Sequence, residues 1–127
     1  MKIFKAFFVM ILVITSAAYA VENAEETKRF YEAVVRAQPQ NPNAHYDLAN
    51  VYLAEGRYAE ALEHYCEANR IGLAASRMEN YYFNSSVCYS KVGKMDEAID
   101  SMEACLKVNP EHNGAKELLA LYKDKKT

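Results

Sequence analysis

Two stretches of the chain repeat one another 37 residues apart. Tyr52, Gly56, Arg57, Glu60 and Ala61 are answered in register by Tyr89, Gly93, Lys94, Glu97 and Ala98. A unit of this length cannot bury its own apolar face, so self-similarity at this period requires units stacked on one another. The whole chain has 127 residues, room for one domain. Its 51% apolar and 25% charged composition is that of a globular protein, and four Gly with three Pro are too few for collagen, linker-rich or turn-dense β folds.

Residues 1–20 read as a leader. Lys2 and Lys5 make a small positive head, Phe7 to Ile14 an unbroken apolar run, and Ala18-Tyr19-Ala20 places small residues where a signal peptidase reads them. A signal peptide cleaved after Ala20 is expected, with export to a bacterial periplasm. The alternative is an uncleaved membrane anchor, although the apolar run is shorter than the roughly 18 to 20 residues that cross a bilayer. No cysteine follows Ala20, so a lipoprotein is not expected. Without the leader, thirteen basic residues face seventeen acidic ones, a net charge of −4. An acidic surface argues against nucleic acid, whose binding needs concentrated Lys and Arg.

The remainder, 21–127, reads as helices throughout. A flanking helix over about 22–38 carries Phe30, Val34 and Ala37 at helical spacing before Pro39 and Pro42. Repeat one, about 42–72, is a helical hairpin in which Asn43 can cap the first helix and Gly56 ends it. Ala61, Leu62, Tyr65 and Ala68 form the inward stripe of its second helix. Repeat two, about 76–110, follows the same grammar with its turn at Gly93. A closing helix over about 112–124 has Ala115, Leu118, Leu119 and Tyr122 on one stripe. It serves either as a cap alone or also as a docking face for a second copy or a larger partner.

Leu48, Ala49, Tyr52, Gly56, Tyr58, Ala61, Tyr65 and Ala68 in the first unit, and Tyr82, Ser86, Tyr89, Gly93, Ala98, Cys105 and Pro110 in the second, resemble the tetratricopeptide repeat family. The resemblance implies an all-α solenoid of helix-turn-helix units with capping helices at its ends. Pro39 and Pro110 lie 71 apart, one 34-residue repeat plus one of 37, which puts a three-residue insertion near Ile71 to Arg77. Ser85 replaces the family's usual leucine and Leu73 its repeat-ending proline, so a looser second hairpin is expected.

The resemblance also implies a protein that binds rather than catalyses: an adaptor or scaffold whose first helices line a concave groove for a peptide or protein segment. By matching positions the groove presents Tyr46, Asn50, Leu53, Phe83, Asn84, Val87 and Lys91. Tyr46 and Phe83 could instead lie partly buried under the flanking helices. Family members that clamp a terminal carboxylate use lysines, an arginine and asparagines. Asn50 and Asn84 fit that set, but Tyr46 replaces the first lysine and Leu118 the arginine, so carboxylate clamping is not expected.

Other chemistry finds no footing. His45, His64 and His112 fall on separate segments, and neither a nucleophile setting nor a glycine-rich phosphate loop is present. His64 and Cys66 are two apart on a helix and face different ways, unsuited to one metal. His45 stands where the family has a large core aromatic. No cofactor, metal or small-molecule substrate is expected. Cys66, Cys88 and Cys105 are an odd number for an exported chain; either Cys66 and Cys88 pair, or all three are packed thiols. Asn84-Ser85-Ser86 matches a glycosylation acceptor, relevant only to a eukaryotic secretory route.

Overall fold

The computed structural model describes residues 2–127, and among them the secondary structure is entirely helical. Six helices follow in order: α1 (Lys2–Ala37), α2 (Pro42–Ala54), α3 (Tyr58–Ile71), α4 (Ala75–Lys91), α5 (Met95–Val108) and α6 (Asn113–Lys126). Each packs on its successor, and α2 also meets α4 across the top of the first hairpin. This is the all-α solenoid expected from the repeat.

Turn chemistry sets the hairpins. Gly56 and Gly93 take φ of +74° and +84°, left-handed conformations that cost a side-chain-bearing residue energy. Each turn then closes on the preceding helix: Arg57 N–H donates to the Tyr52 carbonyl and Lys94 N–H to the Tyr89 carbonyl, both at 2.9 Å. The cap of α2 differs from expectation. Asn41, not Asn43, accepts the backbone N–H groups of Asn43 and Ala44, because Pro42 fits the first helical position, where no N–H is needed.

The leader and the flanking helix form one unbroken helix instead of meeting near residue 21. No Gly or Pro occurs between Lys2 and Gln38 to interrupt it. Its second half docks on the first hairpin through Tyr31 and Val35, through Lys28 to Glu55 at 3.2 Å, and through the Tyr52 hydroxyl, which donates to Glu32 at 3.1 Å. The residues from Lys2 to Val21 that the structure describes lie exposed on the surface.

Two apolar cores fill the stack. The first joins α2, α3 and α4 around Leu48, Ala49, Tyr65, Ala68, Tyr81 and Cys88; the second joins α5 and α6 around Met102, Cys105, Ala115 and Tyr122. Ala61 and Ala98 are completely buried where the paired helices cross, allowing close backbone approach. Ser86 lies at the second crossing and donates to the Ala98 carbonyl at 2.5 Å. Ser85 is buried and bonds the Tyr81 carbonyl one turn back, so its hydroxyl is satisfied inside the hairpin. Leu73 packs against the first core in place of the usual proline.

Candidate functional site

The first helices α2, α4 and α6 share one face, and polar side chains stitch it together. Asn50 on α2 accepts at its carboxamide oxygen from the Tyr65 hydroxyl of α3, at 2.5 Å, and from Asn84 Nδ2 of α4, at 3.3 Å. Tyr65 is fully enclosed, and burial pushes its phenol well above the usual tyrosine range. It therefore stays a neutral donor and fixes the orientation of Asn50. Near the start of the same helices, Arg77 Nη1 pairs with Asp47 at 2.9 Å while its guanidinium lies over the Tyr46 ring, 5.0 Å from the centroid. Between α4 and α6, Phe83 stacks on His112 with centroids 4.8 Å apart. Glu79 accepts from Asn109 at 2.7 Å and lies 4.0 Å from His112. His112 in turn caps α6 by accepting the Ala115 N–H.

These contacts divide the seven groove positions. Tyr46 is a core residue, 6% exposed, edge-on to Tyr65 and roofed by Arg77. It supports the surface from beneath instead of presenting its ring to a ligand. Tyr65 of α3 and Arg77 of α4 lie against it. Asn50, Leu53, Phe83, Asn84 and Val87 are half-buried, and Lys91 is exposed with its ammonium 6.0 Å from the Tyr58 ring. Asn50 and Asn84 meet; Phe83 is drawn to the α6 junction, and Lys91 leans toward α3. Sequence reading missed Asp47 with Arg77, and the tie from Tyr65 to Asn50. Opposite charges 30 residues apart were the available signal for the first.

Away from this face, His45 and His64 stack and bring their Nδ1 atoms to 3.0 Å. His45 Nε2 lies 2.8 Å from the Pro39 carbonyl, which can only accept, so this nitrogen carries the proton and Nδ1 accepts from His64. No group of three or more potential metal ligands occurs among the described residues. Cys66, Cys88 and Cys105 are free thiols, the pairing of Cys66 with Cys88 being absent. Burial pushes the Cys88 thiol up to about 11 and raises that of Cys105. Cys66 is exposed and lies 3.7 Å from the Tyr89 hydroxyl instead.

Stacked hairpins that turn one polar-edged row of helices toward solvent define a helical-repeat domain. The chain belongs to the tetratricopeptide repeat family, whose models match residues 18–71 and 79–112. Among curated relatives, the Hsp70-Hsp90 organizing protein of Triticum aestivum is 29% identical over 90 residues, 71% of this chain and 15% of the relative. Hsp70-Hsp90 organizing protein 3 of Arabidopsis thaliana is 28% identical over a stretch of the same length, 71% of this chain and 16% of that protein. The chain thus spans about 15% of the length of such relatives. Among solved structures, the first repeat domain of Spaghetti (RPAP3), bound to the HSP90 peptide SRMEEVD, superposes with a TM-score of 0.72 at 19% identity, covering 87% of this chain and 85% of that one. The Yersinia enterocolitica secretion chaperone SycD, in complex with a peptide of the translocator YopD, gives 0.66 at 18% identity and covers 86% of each chain. MamA gives 0.74 at 18%, covering 87% of this chain and 58% of its own. At these identities the likeness is one of fold.

Proposed function

We propose that this protein is an exported, non-enzymatic adaptor that holds a peptide or protein segment along the α2–α4–α6 face. The observation that carries the reading is the pair of linked carboxamides, Asn50 and Asn84, held in place by a buried neutral phenol and flanked by half-buried Leu53 and Val87. Fixed amides beside modest apolar surface suit the backbone and small side chains of an extended segment. Spaghetti and SycD, which share the fold, are both described with bound peptides. The ligand differs in kind from a clamped terminal carboxylate: the position of one clamp lysine is the buried Tyr46, and that of the arginine is Leu118.

Export is supported by the N-terminal segment. An 18-residue window of α1 has a mean hydropathy of 2.0, and none of it is buried. A signal peptide cleaved after Ala20, in a bacterial periplasmic protein, accounts for this, and an uncleaved anchor would present the same repeats at the membrane surface. Mass spectrometry of the protein recovered from an expressing bacterium separates the two by the presence or absence of residues 1–20. The binding reading is tested by selecting peptides on the protein from a random library and remeasuring them on a Val87→Glu variant. Loss of binding with unchanged helicity supports it; undiminished binding removes it.

A second reading, self-association through the closing helix, is favoured by Leu121, which is 46% exposed beside half-buried Leu118 and Leu119.

A further inference from the structure

α1 leaves the stack at a defined place. Ala20, Ala24 and Thr27 face Val51 and Ala54 across a cleft, and Lys28 pairs with Glu55 at 3.2 Å, so the leader emerges beside the C-terminal end of α2. There α2 turns into α3 through Gly56. The end of α4 lies next to that turn: the Lys91 ammonium stands 6.0 Å from the Tyr58 ring, and Ala59 and Val92 line one pocket. α4 turns into α5 through Gly93, and Lys126 at the end of α6 pairs with Asp96 at the start of α5. The Gly56 turn, the Gly93 turn and the end of α6 therefore share one edge of the solenoid, and the leader projects from that same edge. The opposite edge holds the connections at Pro39, Gly72 and Pro110.

The link between leader and repeats is stiff. α1 is a single helix from Lys2 to Ala37 with no Gly or Pro inside it, so the direction of the leader follows from the part that docks through Tyr31 and Val35. Its apolar window of 18 residues, none of it buried, makes a rod of about 27 Å, against about 30 Å for the hydrocarbon of a bilayer. From Val21, the last apolar residue of the run, to Thr27, which already faces α2, the helix rises only about 9 Å. An embedded leader sets the Gly56 turn against the lipid headgroups. Arg57, Lys91 and Lys94 stand on this edge among Glu55, Glu60 and Glu97, so the anchor dictates its position and charge does not.

We propose that the leader stays on the chain as a membrane anchor and that the repeats stand on the phospholipid surface on the edge of the Gly56 and Gly93 turns. The proposal takes the anchored form named above and adds which edge meets the lipid and how the groove is aimed. The first helices then stand upright, and a segment crossing α2, α4 and α6 runs along the membrane surface. Val92, 39% exposed at the second turn, meets the headgroup layer. Gln40 and Glu111 on the far edge stand about 20 Å above it, the length of α2.

Four single substitutions at exposed sites test it: Ala59→Cys, Val92→Cys, Gln40→Cys and Glu111→Cys, each in the full chain carrying Cys66→Ser, so that a maleimide fluorophore finds only the new accessible thiol. The labelled chains are reconstituted in vesicles of phosphatidylethanolamine and phosphatidylglycerol containing a lipid with a nitroxide on its headgroup. The expected result is loss of fluorescence at Ala59→Cys and Val92→Cys and unchanged fluorescence at Gln40→Cys and Glu111→Cys, whichever way the chain inserts. Any other pattern, including equal quenching at all four positions or at none, overturns the proposal. Mass spectrometry of the chain recovered from an expressing bacterium should find residues 1–20 still attached. Their absence overturns the proposal and leaves the peptide-binding reading in place with a cleaved leader, since that reading stands or falls on the Val87→Glu measurement.

Discussion

The phenol of Tyr65 and the carboxamide of Asn50 are joined at 2.5 Å, a bond from the enclosed core of the first hairpin to the face its first helix shares with α4. Asn50 also receives Asn84, so one buried hydroxyl orients two surface amides on neighbouring repeats. Packing and recognition meet in this chain of contacts.

Tyr65→Phe keeps the ring and removes the donor. Loss of one hydrogen bond should lower stability by about 1 kcal/mol, read from the midpoint of urea unfolding. Peptides selected on the parent should weaken on this variant even where the fold is fully populated, because Asn50 is no longer held.

Ala61→Leu tests the helix crossing. The site is fully buried, so a larger side chain must separate α2 from α3, at a cost of roughly 1 to 3 kcal/mol. The same change at exposed Ala59 should leave the thermal midpoint almost unmoved.

Gly93→Ala isolates backbone strain. A Cβ at this position meets nothing within 4 Å, yet φ is +84°. Destabilisation of about 1 kcal/mol is therefore expected from conformation alone. An unchanged unfolding midpoint would show that the turn relaxes into another shape.

Acid should weaken the first hairpin. Burial holds the His64 imidazole below its ordinary value of 6.5, with His45 contributing and Glu63, Glu60 and Glu32 opposing. The unfolded chain therefore takes up this proton more readily than the folded one. Stability is complete above about pH 6.5 and declines as pH falls through that value toward the lower folded pKa. Urea midpoints at pH 7.5 and pH 5 should differ in the parent and differ less in His64→Gln.

Thiol labelling should be unequal. Cys66 is exposed, whereas Cys88 and Cys105 are completely enclosed and burial raises both of their thiols. A maleimide should modify Cys66 in the native protein and reach the other two only on unfolding. Fast reaction at Cys88 in the native state would place it outside the core.

The helices, their glycine turns and the small residues at their crossings are legible in the sequence because they are local or recur at a fixed period. Tyr46 is not, because its burial depends on Arg77, 31 positions later, folding over the ring after α2 and α4 meet. The pairing of His45 with His64 is hidden for the same reason: each ring's position in its helix is readable, but their approach across the hairpin is not. The continuous α1 was obscured by a boundary drawn on composition, since a change from apolar to charged residues does not stop a helix that lacks a breaker.

The departure from a regular period acquires a meaning in the finished stack. α4 has 17 residues where α2 has 13, and the extra turn lies at its beginning. This adds about 6 Å of rod. From that overhang Arg77 reaches back to Asp47, and just past it Glu79 reaches forward to Asn109 and His112. With four residues more than α2, the central helix is a two-way brace that joins the hairpin before it to the helix after it.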